Sequence, residues 1–462
     1  MKPTSDTQNA RQNQIALVMS VLASFFTPFL SSSLNVSLPA IGKEFVLSAV
    51  SLSWISLGYL LGAGMCLIPF GKLADIKGRK KIFRLGILIS TLACAGALFT
   101  PNGLILILLR FIQGVGGSMI FSTSVAIVVS AFPLNQRGKV LGINVASVYM
   151  GLSLGPVIGG FLTQQAGWRS IFGFNIFLGI VILWLSLKLK GEWQESQNDK
   201  FDGMGSIILS LSLVGLIYGF SRIPDGIGIG LTAVGILGLI SFIYWEMQVG
   251  SPLLEVRLFR NVVFAMSNLA ALINYSATYA TGFLVSLYLQ YIKAMTPQQA
   301  GWILLSQPVL MVIFSPFAGR LSDKVEPRIV SSLGMGFCAI GLLLFGFIHQ
   351  ESPIYMIILS LVFLGVGFGL FSSPNTNAVM SSVEKKYYGI ASGTLGTMRL
   401  AGQMFSMSIS TLAFSLFMGN HPITPKLFPA FLKASQTLFW GFAVLCVLGV
   451  FASLARGNLR RG

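Results

Sequence analysis

The chain has 462 residues, of which 54% are hydrophobic and only 10% are charged. Soluble domains carry about 25% charged residues, so this composition excludes a water-soluble enzyme and places most of the surface in lipid. The formal charge of +17 does not point to nucleic acid, because the basic residues sit in short loops between apolar runs.

Residues 1–13 are polar and lead into an apolar run from Gln14 to Leu38, too long for the core of a signal peptide. A helix needs about 20 apolar residues to cross the hydrocarbon core. Runs of that kind predict fourteen spans, at 14–37, 51–70, 83–100, 103–130, 138–162, 170–187, 204–221, 227–247, 262–290, 298–318, 330–348, 354–381, 389–418 and 434–455. Span 1 carries Ser31 and the string Asn35-Val36-Ser37-Leu38-Pro39. Span 2 closes on Gly71-Lys72-Leu73-Ala74-Asp75, followed by Gly78-Arg79-Lys80-Lys81. Span 4 holds Arg110, Gln113 and Ser118, with Gly114 and Gly116. Span 5 holds Gly151, Gly155-Pro156 and Gly159. A proline in a helix bends it, and a face of glycines lets a neighbouring helix approach closely. The polar stretch Lys188 to Asp202 reads as a linker. Span 9 offers Asn274, Tyr275 and Tyr279, the two tyrosines sharing a face. Span 10 closes on Gly319-Arg320-Leu321-Ser322-Asp323, span 12 offers Asn375 and Asn377, and span 13 offers Arg399, Gln403 and Met407.

Gly71–Asp75 and Gly319–Asp323 are 248 residues apart, and Gly142 and Gly155 recur at nearly that spacing as Gly389 and Gly402. The chain therefore reads as a six-span unit over 1–188, a linker with two inserted helices over 189–261, and a second six-span unit over 262–462. Parallel repeats of this kind are a transporter architecture, with the substrate bound near the midplane between the units.

Charge placement narrows the function. All fourteen carboxylates lie in loops or at span ends, whereas Arg110 and Arg399 lie inside apolar runs. A charge at a helix centre costs about 2.5–3.5 kcal/mol on insertion scales, so these arginines mark candidate binding or coupling positions. With both termini inside, 23 of the 31 Lys and Arg fall in cytoplasmic segments and six in external loops, which orients the chain. The four cysteines sit in apolar runs without a CxxC pair, and no metal cluster or nucleophile–base pair is visible. No enzyme activity and no cofactor are expected.

The string from Gly71 to Lys81 resembles the loop 2–3 signature of the major facilitator superfamily. Arg110 to Gly117 resembles its span 4 signature, and Gly151 to Gly160 its span 5 antiporter motif. Trp168-Arg169, Pro252-Leu253-Leu254, Leu258-Phe259-Arg260-Asn261, Tyr288-Leu289-Gln290 and the two extra central helices are similar to the 14-span drug:proton antiporter branch. The resemblance implies an all-α integral membrane protein with the major facilitator fold. It also implies export of a small amphiphilic or hydrophobic compound by alternating access, with protons as the candidate coupling ion. Gly71, Asp75, Gly78, Arg79, Gly155, Pro156 and Asp323 would serve the conformational switch, with Asp75 near Tyr388 and Gly389. Ser31, Asn35, Arg110, Gln113, Asn274, Tyr275, Tyr279, Asn375, Arg399 and Gln403 are the candidates for substrate contact or coupling. The expected setting is a prokaryotic cytoplasmic membrane, the expected partners are a small-molecule substrate and the bilayer, and the expected state is a monomer.

Two departures bear on cargo. The branch usually has an aspartate five residues before the Asn of the Asn35–Pro39 string, and here that position is Leu30. Glu326-Pro327-Arg328 stands where the first unit has Gly78-Arg79-Lys80. Arginines without intramembrane carboxylates favour neutral or anionic cargo, so a lipid or an anionic metabolite is the alternative substrate. A non-transporting receptor or scaffold is the alternative of another class. It would be expected to carry a soluble domain, which these residues do not show.

Overall fold

The computed structural model describes residues 5–192, 200–223, 225–384 and 387–457. The middle of the Lys188–Asp202 linker lies outside them, as do Lys385, Arg460 and Arg461. The helices are α1 (Ser5–Phe45), α2 (Ala49–Lys77), α3 (Arg79–Leu98), α4 (Gly103–Ala131), α5 (Leu134–Ala166), α6 (Arg169–Lys188), α7 (Gly203–Ser221) and α8 (Gly226–Glu246). They continue with α9 (Val262–Thr278), α10 (Thr281–Leu287), α11 (Pro297–Leu304), α12 (Ser306–Ser322), α13 (Pro327–Phe345), α14 (Ile354–Ser381), α15 (Tyr388–Met418) and α16 (Phe428–Ala455). Thirteen segments among the described residues are long and apolar enough to cross a membrane as helices. The fourteenth expected span, 262–290, is discontinuous: α9 stops at Thr278, α10 starts at Thr281, and a π-helical turn follows at Tyr288–Ile292.

Local chemistry sets many of the boundaries. Ser48 caps α2 by accepting from the Ser51 N–H at 3.1 Å, and Asn102 caps α4 through the Ile105 N–H at 3.0 Å. Asn261 caps α9, and Thr296 with Gln299 forms a reciprocal capping box ahead of Pro297.

Helix pairing repeats along the chain. In the first six spans α1 packs on α5, α2 and α3 pack on α4, and α3 packs on α6. In the last six α9 packs on α15, α12 and α13 pack on α14, and α13 packs on α16. The α1–α5 crossing uses the glycine face expected in span 5. A Cβ at Gly155 would collide with Ser32 Oγ, and one at Gly151 would lie 2.7 Å from the Phe25 carbonyl. Helices α7 and α8 pack on each other, and α7 touches both α2 and α15. The two groups of six spans meet through α1–α10, α2–α15 and α5–α11.

Candidate transport site

The break in the ninth span has a specific cause. The Ala280 N–H, which an unbroken helix would give to a carbonyl one turn back, instead donates to Ser406 Oγ of α15 at 3.0 Å. Side-chain insertion into the backbone ladder is a recognised origin of helix breaks, and broken spans line the substrate sites of many transporters. Beside this break, Tyr279 OH shares a 3.3 Å hydrogen bond with Ser31 Oγ of α1. These two residues are themselves 248 positions apart, the repeat spacing. The hydrogen bond joins α1 to the break in the ninth span.

Arg110 is 1% exposed and enclosed within the first group. Its Nε donates to the Ile55 carbonyl at 3.3 Å and its Nη1 to Gln113 Oε1 at 2.7 Å. The guanidinium carbon stands 4.6 Å from the Tyr59 ring centroid. Gln113 Nε2 continues the chain to Cys94 Sγ at 3.3 Å. This arrangement satisfies a buried cation without a carboxylate and ties α4 to α2 and α3.

Arg399 is placed differently. Its side chain is half-buried on α15, with Nη2 donating to Thr376 Oγ1 at 2.7 Å. Its Nε is buried and has no hydrogen-bond partner among the described residues. The guanidinium carbon lies 5.8 Å from the Tyr275 ring, which itself packs edge-on against Phe368 at 5.2 Å. Gln403, one turn further along α15, is half-buried as well. Tyr275, Tyr279, Arg399 and Gln403 thus gather around the α9–α15 contact.

Asn274 and Asn375 stand apart from this group. Asn274 is fully buried and faces the Cys338 thiol of α13. Asn375 Nδ2 donates to the Ser267 carbonyl at 3.1 Å, and its Oδ1 accepts from Arg456 Nη1 at 3.0 Å. Arg456 is buried as well, and burial pulls its guanidinium down to about 10. It sits just past the last apolar run, where sequence reading takes a basic residue for an orientation signal.

Asn35 acts through its backbone. Pro39 has no N–H, so the Asn35 carbonyl four residues earlier lacks a helical partner. Ser286 Oγ of α10 donates to it at 2.7 Å, and Gln290 Nε2 donates to the next carbonyl, Val36, at 2.8 Å. These contacts lie on the side away from both chain ends. There the α5–α11 contact is equally close: a Cβ at Gly160 would lie 2.5 Å from the Pro297 carbonyl, and one at Gly301 would collide with the Pro156 carbonyl. A groove of about 420 Å³ remains on this side, lined by Gly42, Val46, Gln290, Tyr291 and Ala294 among others. On the side where α1 begins and α16 ends, the first turns of α5 and α15 have free faces. Cβ atoms at Gly138, Gly142, Gly389 and Gly393 would meet nothing within 4 Å.

The signature loop between α2 and α3 is a compact electrostatic knot. Asp75 Oδ1 accepts from Arg79 Nε at 2.8 Å, and Arg79 Nη1 donates to Ser130 Oγ of α4 at 3.0 Å. Gly78 has φ +112°, a conformation that favours glycine, and a Cβ there would lie 2.7 Å from the Glu192 carboxyl carbon. Glu192 Oε1 accepts the Lys80 N–H at 2.7 Å, placing an anion on the N-terminus of α3. Lys80 Nζ in return donates to the Gly191 and Leu189 carbonyls beyond α6. Gly71 packs on Ser122 of α4 and Gly319 on Ser373 of α14, while Asp323 closes α12.

The site therefore depends on residues that composition and motif did not single out: Ser406, Thr376, Ser286 and Tyr59. Small hydroxyls in apolar helices carry little signal of their own. The proline four residues after Asn35 was the one readable clue to Ser286.

The sequence model of the Major Facilitator Superfamily matches residues 20–268 and again 267–460. The chain is 30% identical over 450 residues to the riboflavin transporter RibZ of Clostridioides difficile (strain 630), covering 96% of this chain and 97% of that protein. It is 27% identical over 408 residues to multidrug resistance protein Stp of Mycobacterium tuberculosis (strain ATCC 25618 / H37Rv), covering 86% of this chain and 75% of that one. A crystal structure of the peptide transporter POT in complex with sulfate superposes with a TM-score of 0.72 at 15% identity, over 97% of this chain and 96% of that chain, a likeness of fold alone. Two family matches that together span the helical bundle, and a full-length relative at 30% identity, agree with the repeated helix pairing: the chain belongs to the Major Facilitator Superfamily, as a multi-pass membrane transporter of small molecules and not an enzyme.

Proposed function

We propose that this transporter exports a neutral or anionic amphiphile with a flat aromatic portion, by alternating access between the two groups of six spans. The observation that carries this reading is Arg399, whose buried Nε has no partner and whose guanidinium stands beside the Tyr275 ring. A cation with an unused donor beside an aromatic face suits a carboxylate, phosphate or polarised carbonyl attached to a ring system. Leu30 in place of an acid, and the absence of any carboxylate from the span interiors, disfavour a permanently cationic cargo. A relative named for riboflavin, an aromatic tricycle, supports the aromatic portion, and a relative named for multidrug resistance supports export.

The loops rich in Lys and Arg would face the cytoplasm, so the free faces of α5 and α15 would belong to an inward-open state. Closure on that side would bring the start of α15 toward Asp75, with residues 1–188 and 262–462 rocking as units. Proton coupling would then need a carboxylate at a span edge. The test is transport in proteoliposomes, with and without an imposed pH gradient, across cationic, neutral and anionic aromatic amphiphiles. The expected result is movement of neutral and anionic compounds that Arg399→Ala abolishes with folding intact. Robust proton-driven movement of a quaternary ammonium dye in preference to these would overturn the reading.

A further inference from the structure

At the base of the α7–α8 hairpin two carboxylates are buried against each other. Asp202 is 8% exposed and Glu246 is 4% exposed. Asp202 caps α7: its Oδ1 accepts the Gly205 N–H at 2.8 Å, and Trp245 Nε1 donates to the same carboxylate at 3.0 Å to Oδ2. Glu246 Oε2 accepts the Leu254 N–H at 2.7 Å. Glu246 Oε1 is buried and has no donor. It points toward Asp202: a Cβ on Gly205 would lie 2.9 Å from Glu246 Oε1 and would also collide with Asp202 Oδ2.

Among the described residues no counter-ion accounts for the pair. Nearby charged groups are Lys72 on α2, one turn beyond Ile68, with Lys200 before α7 and Glu255 and Arg257 after α8. Among the described residues the charged group that acts electrostatically on Glu246 is Asp202. The rest of the setting is apolar, built from Leu209, Phe242 and Leu253 with Ile68 of α2. A divalent cation would require six or more oxygens, and among the described residues no group of three or more metal-ligating side chains exists. Two carboxylates this close and this buried cannot both ionise without a large penalty. A single hydrogen resolves both problems, since a carboxyl O–H on Glu246 Oε1 would donate to Asp202 Oδ2 and leave no orphaned oxygen.

We propose that Asp202 and Glu246 form a proton-binding site that holds one proton at neutral pH and fastens the α7–α8 hairpin. The hairpin is well placed to transmit the state of that proton, because α7 packs on α2 of one group and α15 of the other. The proton is taken up as the pair assembles and released to water when the hairpin base opens. The sign follows from linkage. A free Asp or Glu loses its proton near pH 4, so the stabilisation from a proton retained in the fold is fully present below that pH, declines above it, and is lost as pH rises through the value for the folded pair.

The test compares the full-length protein in detergent with Glu246→Gln and Asp202→Asn. Gln supplies a permanent donor toward Asp202. Wild type should show an infrared carbonyl band of a protonated carboxylic acid at pH 7 that Glu246→Gln removes. Its thermal midpoint should fall by several degrees between pH 6 and pH 9, while that of Glu246→Gln stays level over the same range. Glu246→Ala, which offers no donor, should lower the midpoint at pH 6, showing that the site stabilises the fold. Absence of the band from wild type, or the same pH profile in wild type and Glu246→Gln, would overturn the proposal. Adding sodium or calcium should leave both profiles unchanged, and a cation-dependent rise lost in Glu246→Gln would overturn it in favour of a metal site.

Discussion

Removal of the Ser286 hydroxyl should release the side of the molecule that is closed in this structure. Pro39 leaves the Asn35 carbonyl without a helical donor, and Ser286 Oγ, fully buried, supplies one at 2.7 Å. Gln290 Nε2 is already committed to the Val36 carbonyl at 2.8 Å and lies 3.1 Å from Ser286 Oγ, so it is poorly placed to take over. Leaving a buried acceptor unsatisfied costs about 1–3 kcal/mol. When α1 and α10 separate, water reaches the carbonyl, so the penalty falls on the closed arrangement alone. At about 1.4 kcal/mol per tenfold, Ser286→Ala should shift the closed-to-open ratio by roughly 5- to 140-fold. Pro39→Ala restores an N–H that can reach the Asn35 carbonyl within α1, so Ser286→Ala should have little further effect in that background. The coupling between the two substitutions should therefore be about 1–3 kcal/mol. The assay is pulsed electron resonance between spin labels at positions 43 and 293, in a protein freed of its four cysteines. An unchanged distance distribution in Ser286→Ala, or an equal response to Ser286→Ala with and without Pro39, would refute the reasoning.

Other substitutions probe other parts of the account. Val46 and Ala294 both have φ of 51°, and each follows the end of a helical segment that glycine commonly terminates. Val46→Gly should therefore raise the thermal midpoint by the equivalent of about 1 kcal/mol, and Ala294→Gly by less, because the left-handed region is hardest on a β-branched residue. Gly78→Ala should destabilise the loop between α2 and α3 by about 1–2 kcal/mol through strain and contact with Glu192, read as lower thermal stability, and Glu192→Gln should do so more mildly. Arg110→Met should lower the yield of folded protein, since Gln113 and the Ile55 carbonyl lose their donor, whereas Arg399→Ala should keep the fold and lose transport. Equal folded yields for the two would contradict the different roles assigned to them.

Much of the fold was legible in the sequence because a membrane helix announces itself by length and apolarity. The Gly71–Asp75 and Gly319–Asp323 echo suggests a repeat, and similar helix pairings recur along the chain. Details that arise between helices were not legible. The ninth span reads as one continuous apolar run, and only the approach of Ser406 shows why it breaks at Ala280. Arg110 and Arg399 look alike as lone cations in apolar sequence. Their surroundings separate them, since one is enclosed by Ile55, Gln113 and Tyr59 and the other keeps a donor unused. Asn375 reads as a cavity residue but braces Arg456, and Glu246 reads as a span-end carboxylate but is buried against Asp202. The partners of Asn375 and Glu246 lie 81 and 44 residues away, and local spacing carries no information about them.

The central claim is that cargo meets Arg399 beside Tyr275. It is tested most directly by equilibrium binding of a neutral and an anionic form of one aromatic ring system, riboflavin and its 5′-phosphate, to the purified protein and to Arg399→Gln. A hydrogen bond to a charged group is worth about 1.5–3 kcal/mol, so the substitution should weaken the phosphate form by roughly 10- to 100-fold and riboflavin by clearly less. Equal weakening of the two forms, or no weakening of either when both bind the unmodified protein, would contradict the account.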